Sequence, residues 1–317
     1  MKKPVPLLLA LLASLVLQLP VFSQATKTII VLDFEDQGFR RSDFELAVWL
    51  PAQIQKALVA SPYITVVERH KLNEVLKEHA LSQTGVIDES TAIKVGKLIG
   101  AQKILMGEFE YGVNGKYALS ARLVDIERGR VEGQWLAADL EQKKIKTFVE
   151  EVASGVNAKM KNLLALEKIV RLENPSAPFQ ITIATTKESF LLDELVTFTL
   201  TADRNCYVHL FDIGASGKIH LLFPNKLQPN NFIKAGETIR IENIKASPPA
   251  GMETVKAIAT LDSVSFGEMI DLVSAPATFQ ALGEDVEKFS RDLEIVVSPL
   301  AKDRWTAARL AFEIEEK

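Results

Sequence analysis

The densest cluster of reactive side chains in the sequence is Cys206, His209 and Asp212, which invites a nucleophile–base–acid reading. On a β-strand side chains alternate between faces, so Cys206 and Asp212 point one way and His209 the other. A triad is recognised by geometry rather than by composition, and this geometry defeats one. Cys206 then reads as a small buried hydrophobe. His209 and His220 form a second candidate. With a four-residue turn over residues 214–217, Phe211 lies opposite His220 and His209 is diagonal to it on the same face, within reach of a shared ligand. Two imidazoles without a third ligand make a poor zinc site. The alternative for His209, Phe211 and His220 is an aromatic patch that includes Tyr207. Residues 96–100 (GKLIG) contain Gly-Lys but lack the spacing of a phosphate-binding loop. Their glycines are expected to allow close helix packing and a helix stop. Glu68 and Arg69, where a strand meets a helix, are expected to form a structural ion pair. One cysteine and four histidines in 317 residues leave no material for an internal disulfide or a Cys-rich metal centre. No catalytic residue, metal or cofactor is expected.

These side chains must be carried by elements that the hydrophobic pattern announces. Residues 28–34 (TIIVLDF) read as a buried strand. A helix follows with Leu46, Leu50, Ile54 and Leu58 at intervals of four, and Pro51 either kinks it or marks its first turn. Then come a strand at 63–67, a helix at 70–81, and a helix at 89–99 with Asp88 as its cap and Gly100 as its stop. The period changes to two over 103–113, 116–126 and 130–140. With turns at Asn114-Gly115 and Arg128-Gly129, this is an antiparallel meander. A long helix spans 144–172, and residues 174–178 (NPSAP) mark the best boundary. Beyond it, short strands are expected at 179–184, 195–201, 206–212, 218–222, 238–241 and 254–260. A short helix at 283–289, a strand at 293–297 and a cleanly alternating run at 306–315 complete the chain. The expected class is α+β. An N-terminal α/β domain (26–173) with a mixed sheet and meander is joined by 174–178 to an antiparallel β-sandwich-like domain (179–317).

Residues 1–25 read as a secretory signal peptide: Lys2 and Lys3, an apolar core at 7–19 too short to span a membrane, then small residues for cleavage. The net charge of −4 becomes −6 without those two lysines, which argues against nucleic acid as a partner. Cys206 is the sole cysteine, so no lipidated N-terminus is expected. The mature chain shows no transmembrane helix.

Five segments in order carry a family resemblance: VLDFE (31–35), VVERHKL (66–72), EVLKEHALSQTG (74–85), AIKVGKLIGAQKILMGEF (92–109) and ARLVDIERGRV (121–131). Over residues 28–165 the chain resembles the curli assembly and transport component family, CsgG. The resemblance implies a periplasmic α/β domain from an outer-membrane export apparatus. It also implies a fold shared with TolB-type N-terminal domains and lipoprotein activators of cell-wall synthases. The chain departs from pore-forming members, because the meander strands lack a lipid-compatible face and their tight turns leave no room for inserted hairpins. Residues 212–241, through Gly217, Leu222-Phe223-Pro224-Asn225 and Ala235-Gly236, resemble the bacterial domain of unknown function 4384.

The long helix raises one further expectation. Leu163, Leu164, Ile169, Val170 and Leu172 widen its apolar stripe beyond what one sheet requires. They read either as plain core or as a surface for self-association or docking. The sequence thus points to a non-enzymatic periplasmic or outer-membrane-associated protein. It would act as a binding or assembly component of an export or surface-structure system, with envelope proteins as partners and a homo-oligomer as one form. The alternative is a regulatory binding module for a cell-wall or envelope enzyme. A periplasmic hydrolase is the third reading, but no nucleophile supports it.

Overall fold

The computed structural model describes residues 25–38, 44–78, 88–267, 270–272, 274 and 276–316. The signal-peptide reading of residues 1–25 and the segment 79–85 of the family resemblance fall almost wholly outside them.

The N-terminal part comprises β1 (Lys27–Val31), β2 (Glu35–Asp36), α1 (Phe44–Val59), β3 (Ile64–Val66), α2 (Arg69–Glu78) and α3 (Glu89–Ile99). These are followed by β4 (Lys103–Tyr111), β5 (Tyr117–Asp125), β6 (Arg130–Leu140), a 3-10 turn at Gln142–Lys144 and α4 (Ile145–Arg171). The sheet order is β3-β1-β4-β5-β6, with β2 beside β4. β1 pairs in parallel with β3 and β4, whereas β4, β5 and β6 form the antiparallel meander. The unbroken apolar run of β1 follows from burial on both faces. Ile29 and Val31 meet α1 and α4, among Leu50, Ile54, Phe148 and Val152. Ile30 and Leu32 meet α2 and α3, among Leu72, Leu76, Ala92 and Val95.

Pro51 lies inside α1, well past the start of the helix. Asp88 caps α3, its carboxylate accepting from the Thr91 N–H at 2.7 Å, and Gly100 ends it with a φ of 75°. A Cβ on Gly96 would lie 2.5 Å from Ile126 Cδ1, so that glycine does permit close packing of α3 on the sheet. Arg69 pairs with Asp33 at 2.5 Å and not with Glu68, which approaches His70 instead. The link therefore runs from the helix back to the end of β1.

Gly107 sits mid-strand in β4, and a Cβ there would intrude on the Ser120 carbonyl oxygen and the Phe34 ring. The carbonyl belongs to a paired strand and has little freedom to retreat. Gly107→Ala is expected to cost about 2 kcal/mol, the usual scale of overpacking, seen as a lowered melting temperature with an unchanged fold by circular dichroism.

The C-terminal part comprises β7 (Ile181–Thr185), β8 (Ser189–Leu191), β9 (Leu195–Ala202), β10 (Cys206–Ile213), β11 (Ile219–Phe223) and β12 (Phe232–Ile233). Then come β13 (Thr238–Lys245), β14 (Gly251–Thr260), β15 (Gln280–Gly283), α5 (Val286–Val297) and β16 (Trp305–Glu315). One sheet runs β15-β11-β10-β14-β16-β8 with β12 on β10; the other runs β13-β9-β7. The pairings are antiparallel except β16 with β8. Between the sheets lies a core that includes Phe198, Leu200, Cys206, Val208, Leu210, Val255 and Phe312. The α+β class is therefore the observed one. β16 alternates as its sequence predicts, with Phe312 and Ile314 in this core.

The expected strand at 293–297 is helix instead. Asp285 caps α5 by accepting from the Lys288 N–H at 2.9 Å. Phe289, Leu293 and Val297, four apart, then form one buried face. A capped twelve-residue helix with a surface to cover prevails over the β preference of Ile295 and Val296.

α4 serves two cores. Up to Met160 its apolar face covers the N-terminal sheet. Farther on, Ala165 and Ile169 join Phe211, Ile213, Ile219, Ile258, Phe289 and Leu293 on the outer face of the large C-terminal sheet. Lys161 pairs with Glu287 of α5 at 2.8 Å. Of the residues expected to form an interaction surface, Leu164 and Ile169 are buried, Leu172 packs on the same C-terminal cluster, and Leu163 and Val170 are half-buried. The stripe is wide because it faces two sheets in succession, and the surface is occupied within the chain. Residues 174–178 are anchored too, since the Asn174 amide donates to the carbonyls of Lys302 and Trp305, each at 2.6 Å.

Candidate functional site: an acidic cleft between the C-terminal sheets

The turn between β10 and β11 is one residue longer than expected. Ile213 pairs with Ile219, and the Gly214 N–H donates to the Lys218 carbonyl at 2.8 Å. Asp212, and not Phe211, therefore stands opposite His220. A slip of one residue moves a side chain to the other face of a sheet. His209 and Phe211 face α5, where the His209 ring lies 4.2 Å from that of Phe266 and 6.3 Å from that of Phe211. His220 faces the opposite way, so the shared-ligand patch of His209, Phe211 and His220 does not form. His209 accepts from the Asn231 amide at 3.3 Å, and burial lowers its pKa to about 4, leaving a neutral ring in an aromatic cluster. Cys206 is fully buried on the inter-sheet side, where burial raises the thiol to about 11. A thiol that holds its proton this firmly is no nucleophile at neutral pH. Cys206 and His209 do lie on opposite faces, as alternation requires.

The register that separates the two histidines builds a different group. Asp212 pairs with Val255 of β14, so Glu253, two residues away, presents its side chain on the same face. Asp212, Glu253 and His220 thus meet at one end of the sandwich. They line a cavity of about 190 Å³ whose apolar walls include Val196, Leu222, Phe279 and Phe312. Ser216 and Ser247, both exposed, mark its mouth.

The two carboxyls interact directly, in the sense that favours a proton on Asp212 and a charge on Glu253. Burial, and then the Glu253 charge, push Asp212 well above the carboxylate range. Burial raises Glu253 too, opposed by the Ala215 N–H, which it accepts at 2.9 Å. Like charges at this separation cannot both ionise cheaply, so the pair shares a proton. Asp212 holds it, because Glu253 has a backbone donor favouring its charged form. The Asp212 Oδ1 atom is buried with no hydrogen-bond partner. His220 is pushed down, first by burial and then by Lys218, and is neutral at pH 7. Among the described residues, no group of three or more His, Cys, Asp or Glu is disposed to hold a metal ion.

Asp212→Asn offers a direct check. Carboxyls with raised folded pKa values favour folding at low pH and lose that contribution as pH climbs through the folded values. An asparagine keeps a donor for Glu253 and removes the second titration. The variant is expected to melt higher than the wild type at pH 8, by the equivalent of about 1 kcal/mol, and the gap should close by pH 4.

Neither the carboxyl pair nor its cleft is signalled by sequence. Asp212 and Glu253 are brought together only by the β10–β14 register.

Comparison with known families bears on both halves of the chain. Residues 18–118 match the model of the curli production assembly/transport component CsgG. Residues 189–263, which carry Asp212, His220 and Glu253, match a domain of unknown function, DUF4384. The two matches fall in the N-terminal and C-terminal parts respectively, as the sequence segments indicate. No protein of curated function matches the chain. Among solved structures, the LpoB C-terminal domain from Salmonella enterica is 21% identical, with a TM-score of 0.32, over 37% of this chain and 85% of that one. Lipoprotein GNA1162 from Neisseria meningitidis is 17% identical, with a TM-score of 0.29, over 41% and 95%. TolB from Acinetobacter baumannii is 8% identical, with a TM-score of 0.28, over 75% and 47%. Likenesses of this degree assign neither partner nor activity. No helix among the described residues is long and apolar enough to cross a membrane.

Proposed function

We propose that this protein is a non-enzymatic binding or assembly component of an export or surface-structure system, working in the periplasm or at the outer membrane. The observation that carries the reading is the match of residues 18–118 to the curli production assembly/transport component. The order Lys2-Lys3, an apolar core and small residues before Thr26 supports entry into the secretory pathway. A role without a membrane pore of its own is supported by the meander. Its turns are closed by the hydrogen bonds Gly112 N–H to Lys116 O and Gly129 N–H to Asp125 O, at 2.8 and 2.9 Å. Strand β4 is covered by helices on both faces.

The test is affinity capture of the full chain from envelope extract of its own host, with quantitative identification of retained proteins. Enrichment of export or surface-assembly proteins is the expected result. Retention of a cell-wall enzyme alone would replace this reading by the regulatory one, and recovery of cytoplasmic proteins alone would overturn both. N-terminal sequencing of the mature protein is expected to start at Gln24 or Thr26; an intact Met1 would remove the envelope assignment.

A further inference from the structure

We propose that the cleft between the C-terminal sheets is a binding site for an alkyl ammonium group, a short aliphatic chain ending in a cationic amine whose nitrogen is held at Asp212. Three independent features of the cleft lead there. Asp212 Oδ1 is sealed from water and accepts no hydrogen bond, a cost that natural interiors seldom leave standing. No donor among the described residues offsets it, so the acidic pair is short of positive charge. The Glu253 carboxylate beside it is fixed by the Ala215 N–H, so the pair presents an oriented acidic end that already carries a net negative charge. The remaining walls, Val196, Leu222, Phe279 and Phe312, are apolar and suit methylene groups.

Nearby cations are committed elsewhere. Lys245, on β13, pairs with Asp193 at 2.8 Å, and Lys218, in the turn after β10, leans towards Glu284 at 3.8 Å. With Glu253 from β14 and His220 from β11, these are the charged and titratable groups that line the cleft around Asp212. None supplies a cation to the pair. A volume of about 190 Å³ is below the roughly 300–1,000 Å³ of drug-sized sites and fits a single side chain or a small amine.

An ammonium at Asp212 favours ionisation of both carboxyls, so binding transfers up to one proton from the pair to the buffer. Two sources share this chemistry: a lysine side chain of a partner polypeptide and a free alkylamine or polyamine.

The experiment is calorimetry on the full chain with n-butylammonium, n-butanol and butyrate, each in two buffers of different ionisation enthalpy. Butylammonium is expected to bind with millimolar affinity and to release protons. Butanol and butyrate are expected to bind at least about tenfold more weakly, as is butylammonium to Asp212→Asn. Should Asp212→Asn fail to fold, Glu253→Gln carries the same comparison. Blocked lysine (Nα-acetyl-lysine methylamide) and spermidine then separate the sources. Preference for the lysine points to a polypeptide, and preference for spermidine to a free amine. Equal binding of butanol and butylammonium, binding indifferent to both substitutions, or no heat at tens of millimolar would each overturn the proposal. None of these outcomes bears on the assembly role, which rests on the N-terminal half.

Discussion

Replacing Leu164 and Ile169 together by glutamate is expected to unfold the protein rather than to release it from a complex. Ile169 is 1% exposed and Leu164 6%, on the stretch of α4 that meets the C-terminal sheet and α5. A carboxylate at 169 would lie among Phe211, Ile258, Phe289 and Leu293, and one at 164 would press into the packed seam between α4 and α5, beside Tyr63 and Ser290. Lys161 is already held by Glu287. Losing the two side chains costs several kcal/mol, and burying unpaired charge adds more, so the total is roughly 5 kcal/mol or above. This equals the whole stability of many proteins. Ile169→Val, by contrast, should cost about 1 kcal/mol. Thermal melts and light scattering separate the cases. A double mutant that stays folded while a wild-type oligomer dissociates would show that α4 leaves the C-terminal sheet in solution and that its stripe is an intermolecular surface.

The second large effect concerns Lys256. Its side chain is wholly buried and its ammonium donates to the Val170 carbonyl at 3.2 Å, one of the carbonyls left unpaired at the end of α4. A cation suits that end of a helix dipole. Burial nevertheless lowers its pKa from 10.5 to about 8; Glu173 opposes this and Arg309 assists it. The folded protein thus releases the proton more readily than the unfolded chain. Between pH 8 and 10.5 the unfolded state holds more protons, so stability rises with pH through that window. Relative to Lys256→Met, which has nothing to titrate there, the wild type should gain up to about 3 kcal/mol between those limits. Urea midpoints for both proteins at pH 7.5, 9 and 10.5 check it. Parallel curves would mean that the folded lysine titrates at its ordinary value.

Much of the architecture could be read from local chemistry. Asn114-Gly115 fixes the first meander turn, Asp88 and Gly100 bracket α3, and the alternation of Ala308, Leu310, Phe312 and Ile314 gives β16 and its buried face. Such signals need only neighbours along the chain. What escaped needed distant partners. Residues 293–297 (LEIVV) suit a strand by composition, and only the Asp285 cap with the spacing of Phe289 and Leu293 favours a helix. One extra residue in the β10–β11 turn puts His209 and His220 on opposite faces, because a period of two turns a single slip into a change of face. Asp212 and Glu253 lie on strands joined by a long excursion, so the pair at the candidate site is a product of register alone. The breadth of the apolar stripe on α4 was visible, but the surface it covers belongs to residues more than forty positions downstream.

Continuity of α4 also governs mechanics. Its 27 residues make a rod of about 40 Å, and between Met160 and Arg171 it contains neither glycine nor proline. Swivelling one half of the molecule against the other would require breaking helical hydrogen bonds at the crossover or tearing Ala165 and Ile169 from their sheet. A second strut, the Arg130–Glu313 ion pair at 2.5 Å, links β6 to β16 off the rod's axis and resists rotation about it. Phe312 and Ile314, which wall the cleft, flank Glu313 in β16, so a load on the cleft passes to the N-terminal half through β16 and β6 as well as along α4.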